Sequence, residues 1–150
     1  MIADLHIHTR YSHDSFMDPA RVVRVARMRG LSAIAVTDHN TIRGGLLARE
    51  ANPGGDFEVI VGAEIRTEYG DVLGLFLDRE IAARRFDDVV EEIHAQGGLV
   101  VLAHPYRRYL SPERLAGRVD LIEGFNSRSR RQANALSMQL GRASGKGTVG

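Results

Sequence analysis

Leu31-Ser32-Ala33-Ile34-Ala35-Val36-Thr37-Asp38-His39-Asn40 decides the fold: an apolar run rich in small and β-branched residues stops abruptly at a polar, metal-ligating cluster. The run over 31–36 predicts a strand buried on both faces, as in a parallel sheet covered by helices. Helical signals flank it. Upstream, Asp18-Pro19 supplies an N-cap and a first-turn proline, apolar Val22, Val23, Val25, Ala26 and Met28 follow, and Gly30 ends the helix. Downstream, a short helix is expected over 41–50, then a turn at Asn52-Pro53-Gly54-Gly55.

The same unit recurs along the chain. A first apolar segment over 1–5 ends at His6-Ile7-His8. Residues 57–65 predict a strand containing Glu64, and Tyr69-Gly70-Asp71 a hairpin turn from which 72–77 pairs back. A helix over 86–95 stops at Gly97-Gly98, and a buried strand over 99–103 ends at His104-Pro105. A short helix from Ser111-Pro112, a strand over 119–122 ending near Glu123 and a helix over 132–140 complete the order; 141–150 shows no strong pattern. This alternation predicts α/β architecture with mostly parallel strands, in one domain over 1–150.

Composition narrows the chemistry. There is no Cys among 150 residues, so any metal must be held by His, Asp and Glu, a donor set that suits Zn, Mn or Fe. A net charge of +1 demands neither nucleic acid nor membrane. No apolar run reaches the ~18–20 residues of a membrane span, and Asp4 and His6 interrupt the first apolar segment, so a cytoplasmic protein without signal peptide is expected. Lys146 is the only Lys; the Arg bias reflects base composition or, weakly, phosphate binding.

Strand ends in an α/β sheet converge on one edge, where ligands bind. His6 and His8, two apart on a strand, share a face and can grip one ion. Asp14 is either a ligand or a plain loop carboxylate. His39 is a candidate ligand, and Asp38 a candidate catalytic residue, as a ligand or as the group that orients one; an N-cap Asp beside a surface His is the alternative. Glu64, among apolar residues, needs a partner, which two bridged metals or an ion pair with Arg66 would supply. His104 closes its strand, and Arg107 is a candidate catalytic and substrate-binding residue, since Arg matches phosphate geometry; Arg108 reads as a solvated charge. His94, inside a helical pattern, reads as a surface or packing residue. Two metals roughly 3.5–4 Å apart would activate a shared hydroxide and clamp a phosphate oxygen. No Ser or Cys nucleophile motif and no phosphate-binding Gly loop is present.

At these residues the chain resembles the PHP family (polymerase and histidinol phosphatase domain). The matching segments are Asp4-Leu5-His6-Ile7-His8-Thr9, Tyr11-Ser12-His13-Asp14-Ser15, Thr37-Asp38-His39-Asn40-Thr41, Gly62-Ala63-Glu64, Ala103-His104-Pro105 and 122–128. The resemblance implies a distorted, seven-stranded α/β barrel with its metals at the C-terminal strand ends. It also implies metal-dependent hydrolysis of phosphate esters through a metal-activated hydroxide, on a small phosphorylated substrate such as a nucleotide or short oligonucleotide. Two or three divalent ions are expected: one on His6, His8 and Glu64, a second on Glu64 and His104, a third involving Asp14 and His39. Asn126 and Arg128 would lie near the site as substrate or structural contacts. The family's late Asp-x-His segment has no counterpart before Gly150, so a barrel incomplete at its C-terminal end is expected, through truncation or as a naturally short homologue. An open edge would favour homo-oligomers. The alternative function is a metal-binding but catalytically impaired domain, a fragment or interaction module. An amidohydrolase-like deacylase would want a carbamylated Lys or a further His, and only Lys146 is present.

Overall fold

A computed structural model of the chain describes residues 2–52, 54–108 and 111–150. Met1 of the first apolar segment, Pro53 of the expected turn and the Arg108 side chain lie outside the described residues. The elements are β1 (Ala3–Ile7), α1 (Pro19–Met28), β2 (Ala33–Val36), α2 (Arg43–Glu50), β3 (Glu58–Arg66), β4 (Asp71–Leu75), α3 (Phe86–His94), β5 (Leu99–Leu102), α4 (Pro105–Arg108), α5 (Pro112–Ala116), β6 (Leu121–Glu123), α6 (Arg131–Ser144) and β7 (Gly147–Val149).

The seven strands form one sheet in sequential order. β1, β2 and β3 pair in parallel, β4 runs antiparallel to β3 and β5, and β5, β6 and β7 are again parallel. Every strand but β4 therefore points the same way. The sheet curls into an open, incomplete barrel whose ends are β1 and β7. This is the barrel expected from the sequence. β7 and α4 are additions to the expected order, and α6 runs past Gly141 to Ser144.

Burial on both faces explains the continuous apolar strands. Ala35, Ile60, Leu73, Leu75, Val101 and Ala103 pack together on the concave side. Their alternates Val61, Ala63, Ile65, Val72, Val100, Leu102 and Ile122 pack outward with Phe86, Val89 and Ile93 of α3. Ile34 and Val36 meet Val22, Val23 and Ala26 of α1. The start of α1 follows the sequence: the Asp18 carboxylate accepts from Arg21 N at 3.2 Å, with Pro19 in the first turn.

Strand direction is what positions chemistry here. The C-terminal ends of β1, β2, β3, β5 and β6 gather at one rim, and the reversed β4 adds its first residue, Asp71, to that rim.

Candidate metal centre

Glu64, near the end of β3, is the hub. Its Oε2 lies 3.2 Å from His6 Nε2, 3.0 Å from His8 Nε2 and 3.4 Å from His39 Nδ1, and its Oε1 lies 3.0 Å from His104 Nε2. One carboxylate thus faces His6, His8 and His39 with one oxygen and His104 with the other. It is 2% exposed, so these rings are its solvation.

The opposite sides of the rings are also held. His6 Nδ1 lies 2.9 Å from Glu123 Oε1, and His8 Nδ1 lies 2.9 Å from Asp14 Oδ1. An ionised carboxylate only accepts, so each Nδ1 carries the hydrogen and a neutral ring presents its Nε2 lone pair to the centre. Two such lone pairs, 3.1 Å apart and both aimed at Glu64 Oε2, repel unless a cation or protons lie between them. Adjacent ligands about 2.1 Å from a tetrahedral ion stand roughly 3.4 Å apart, so this donor triad suits one divalent ion. His104 turns Nε2 to Glu64 Oε1, and its Nδ1 is buried with no hydrogen-bond partner among the described residues. Four donor groups have ligand atoms within 4.8 Å of one another: His6-His8-Glu64, His6-His104-Glu123, His8-Asp14-His39 and Glu64-Asp71-His104.

Protons balance the charge when no metal does. Burial disfavours the charged His6 ring, but Glu123 and Glu64 outweigh it and raise its pKa to about 10. His8 is raised against its burial, chiefly by Glu64. Burial pushes the Glu64 carboxyl up, yet hydrogen bonds from His104, His6 and His8 hold it well below the usual carboxylate range. Asp14 resists its own burial and falls to about 2, through Arg128 and His8. His39 is lowered, mainly by burial.

Several residues are placed where the sequence did not put them. Glu123, the last residue of β6, is buried, holds His6 Nδ1 and accepts from the His104 backbone N–H at 2.6 Å. Its position at a strand end is the same signal that marks His104. Asp71 joins the Glu64-His104 group because β4 is antiparallel, so the beginning of that strand faces the rim. His13 stacks on His39, with centroids 4.7 Å apart. His104 has φ of 30°, an uncommon conformation for a residue with a Cβ, held by the bond to Glu123.

Asp38 is not among the clustered donor residues, so of the two parts expected of it the contacts favour the orienting one over the ligand. It is fully buried, and its carboxylate accepts from Thr9 N–H at 2.5 Å and from Thr9 Oγ1 at 2.7 Å. It clamps the chain just after His8 to the end of β2. Ser12 adds a second tie, accepting from His39 N–H at 2.7 Å. His94 is on the surface, paired with Asp120 at 2.8 Å, as expected.

A cleft of about 1080 Å³ opens over the cluster. Arg107 lines it, exposed and without an ion-pair partner among the described residues. Arg128 also lines it and pairs with Asp14 at 2.8 Å. Asn126 lines it too, and donates its side-chain amide to Glu123 at 2.8 Å.

The rim of a curled α/β sheet thus carries four histidines around one carboxylate. The PHP domain model matches residues 4–138, and the chain belongs to the PHP domain family. It is 40% identical over 117 residues to the uncharacterized protein MJ1587 of Methanocaldococcus jannaschii, covering 71% of this chain and 68% of that protein. It is 30% identical over 141 residues to the uncharacterized protein MJ0417 of the same organism, covering 87% and 54%. Among solved structures, a two-domain protein of Bacteroides vulgatus containing a predicted PHP-like metal-dependent phosphoesterase superposes with TM-score 0.82 at 22% identity, over 99% of this chain and 50% of that one. A candidate metal-dependent phosphoesterase of Bifidobacterium adolescentis gives 0.80 at 17%, over 99% and 85%. An amidohydrolase of Chromobacterium violaceum, with bound sulfate and no metal, gives 0.81 at 16%, over 99% and 85%. At these identities the solved structures establish the shared fold. The chain spans about half the length of MJ0417 and of the Bacteroides protein. Among the described residues no helix is long and apolar enough to cross a membrane.

Proposed function

We propose that the chain is a metal-dependent phosphoesterase whose rim cluster holds two or three divalent ions. The observation that supports this most is the division of Glu64, with Oε2 facing His6 and His8 and Oε1 facing His104. A carboxylate set so between two donor groups is built to be shared. His6, His8 and Glu64 would hold one ion, Glu64, His104 and Asp71 a second, and Asp14 with His39 a third. Bound there, divalent ions lower the pKa of water and polarise a phosphoryl oxygen. The protein supplies the rest. Glu123 and Asp14 fix the ring orientation of His6 and His8 through Nδ1. Arg107, exposed at the cleft wall, binds a phosphate oxygen, and Arg128 lines the same cleft. Asp38 serves as a positioning residue for the His8–Thr9 turn. A nucleotide or a short oligonucleotide end is the substrate class we favour, in keeping with a cleft of about 1080 Å³.

Two outcomes test this reading. Turnover of a chromogenic phosphate ester with Mn or Zn should fall at least ~100-fold in His6→Ala, since loss of even an outer partner of a metal ligand costs up to that much. Activity retained in the variant would refute it. Metal uptake should also release protons. His6 is held at about 10 in the metal-free protein, above its ordinary 6.5, so at pH 7–8 it is protonated and must lose that proton to bind an ion. The sign follows. Protonated His6 stabilises the metal-free fold below 6.5, and this contribution fades as pH climbs through about 10, while metal affinity rises over the same window. Titration of metal into weakly buffered protein should acidify the solution; no acidification would contradict the assignment of His6.

A further inference from the structure

Phe16 is 98% exposed, more than any other large apolar side chain among the described residues. It stands in the segment between β1 and α1, two residues after Asp14, and lines the cleft over the cluster together with Arg107 and Arg128. Single apolar side chains are common on protein surfaces. This one is set apart by the way its backbone is held. The Arg10 N–H donates to the Met17 carbonyl at 2.8 Å, and the Met17 N–H donates to Ser15 Oγ at 3.3 Å. Ser15 Oγ in turn donates to the His8 carbonyl at 2.8 Å, and Arg10 pairs with Asp18 at 3.1 Å. Phe16 thus lies between two tied residues, one of them bonded to the backbone of a candidate metal ligand. Among the described residues its ring joins none of the three core clusters. The fold therefore fixes a phenyl ring in water and forgoes the burial that ordinarily holds a Phe.

We infer that Phe16 is a specificity-determining residue, on which a planar aromatic group of the substrate, such as a nucleobase, stacks while the phosphate ester lies over the cluster. The inference rests on the phosphoesterase reading and narrows it from phosphate esters in general to those with an aromatic ring close to the phosphate. Three arguments carry it. A phenyl ring has no charge and no hydrogen-bonding group, so it adds nothing to phosphate recognition; what it selects is a flat, polarisable partner. Its faces are open, since almost none of the side chain is covered. Its place also limits the reach: two residues span at most about 7 Å, so Phe16 Cα stands no farther than that from Asp14 Cα in the cluster. A ring that stacks there must join the phosphate through a short link, as a base does through its sugar. An alkyl phosphate of the same charge would leave Phe16 idle.

The chain has no Trp, so Phe16→Trp supplies a lone indole whose emission reports stacking directly. In the full chain, with chelator present to stop turnover, adenosine 5′-monophosphate should quench that emission. Ribose 5-phosphate, the same sugar phosphate without the base, should leave it unchanged. Calorimetry on the natural sequence should find the nucleotide bound at least ~5-fold tighter than ribose 5-phosphate, the lower end of what stacking a base on an aromatic side chain is worth. That preference should vanish in Phe16→Ala and survive in Phe16→Tyr, with ribose 5-phosphate binding alike in all three and circular dichroism checking each fold. Emission that does not respond to the nucleotide, or a preference that survives Phe16→Ala, overturns the stacking role. The two readings separate cleanly. Metal-dependent turnover with equal kcat/KM for the two phosphates sinks the stacking role alone, while a Phe16-dependent preference without any turnover sinks the phosphoesterase reading.

Discussion

Glu64→Gln should remove the metal complement and also weaken the metal-free fold by about 3 kcal/mol, the lower end of what breaking a buried ion pair costs. The side chain keeps its shape, so packing is not the cause. Among the described residues the substitution takes the only charge that faces all four rings, His6, His8, His39 and His104. His6 then keeps Glu123 as its sole carboxylate partner, and His104 loses its only side-chain bond among the described residues. Denaturant unfolding in chelator measures the effect. The sign with pH is fixed by the depressed Glu64 pKa. Its contribution is present above the ordinary carboxyl value of 4.5 and is lost as pH falls, so the gap between natural and variant protein should close in acid. Equal stability of the two at neutral pH would mean the rings do not depend on this carboxylate.

Gly44→Ala should destabilise the protein by about 2–3 kcal/mol and lower metal affinity with it. Gly44 lies in the first turn of α2, directly over the Asp38–Thr9 clamp. A Cβ there would sit less than 3.0 Å from both Asp38 Oδ2 and Thr9 Oγ1, and both atoms are buried and already bonded to each other. Neither can retreat without releasing the turn that follows His8. Gly117→Ala is the control: its Cβ meets nothing within 4 Å, φ is −71°, and stability should stay within ~0.5 kcal/mol. If Gly44→Ala behaved like the control, the clamp would have slack and Asp38 would not position the site.

The barrel and most of the cluster are legible in the sequence because one rule finds them: a ligand-type residue where an apolar run stops. His6, His8, His39, Glu64 and His104 all obey it. Glu123 obeys it too, but a strand of only three residues draws attention to its apolar part and leaves its terminal carboxylate unremarked. Asp71 breaks the rule, because in the reversed strand β4 the candidate donor stands at the beginning, where a turn residue looks ordinary. Asp38 satisfies the rule without joining the donor groups. A carboxylate can be at a strand end to hold backbone N–H groups, and only three-dimensional packing shows Thr9 and Gly44 closing over it. The last strand escapes the pattern because Gly147, Thr148 and Val149 offer one apolar side chain and little burial. Gly141 reads as a helix stop, yet it is in mid-helix because Thr148 of β7 packs against it; the residue that ends α6 is Gly145, with φ of 67°.

Elemental mass spectrometry of the protein purified without chelator addresses the central claim most directly. The rim cluster should carry at least two equivalents of Zn, Mn or Fe per chain, falling below one in Glu64→Gln. A value near zero that stays near zero after metal is added back would contradict the metal centre and every catalytic role built on it.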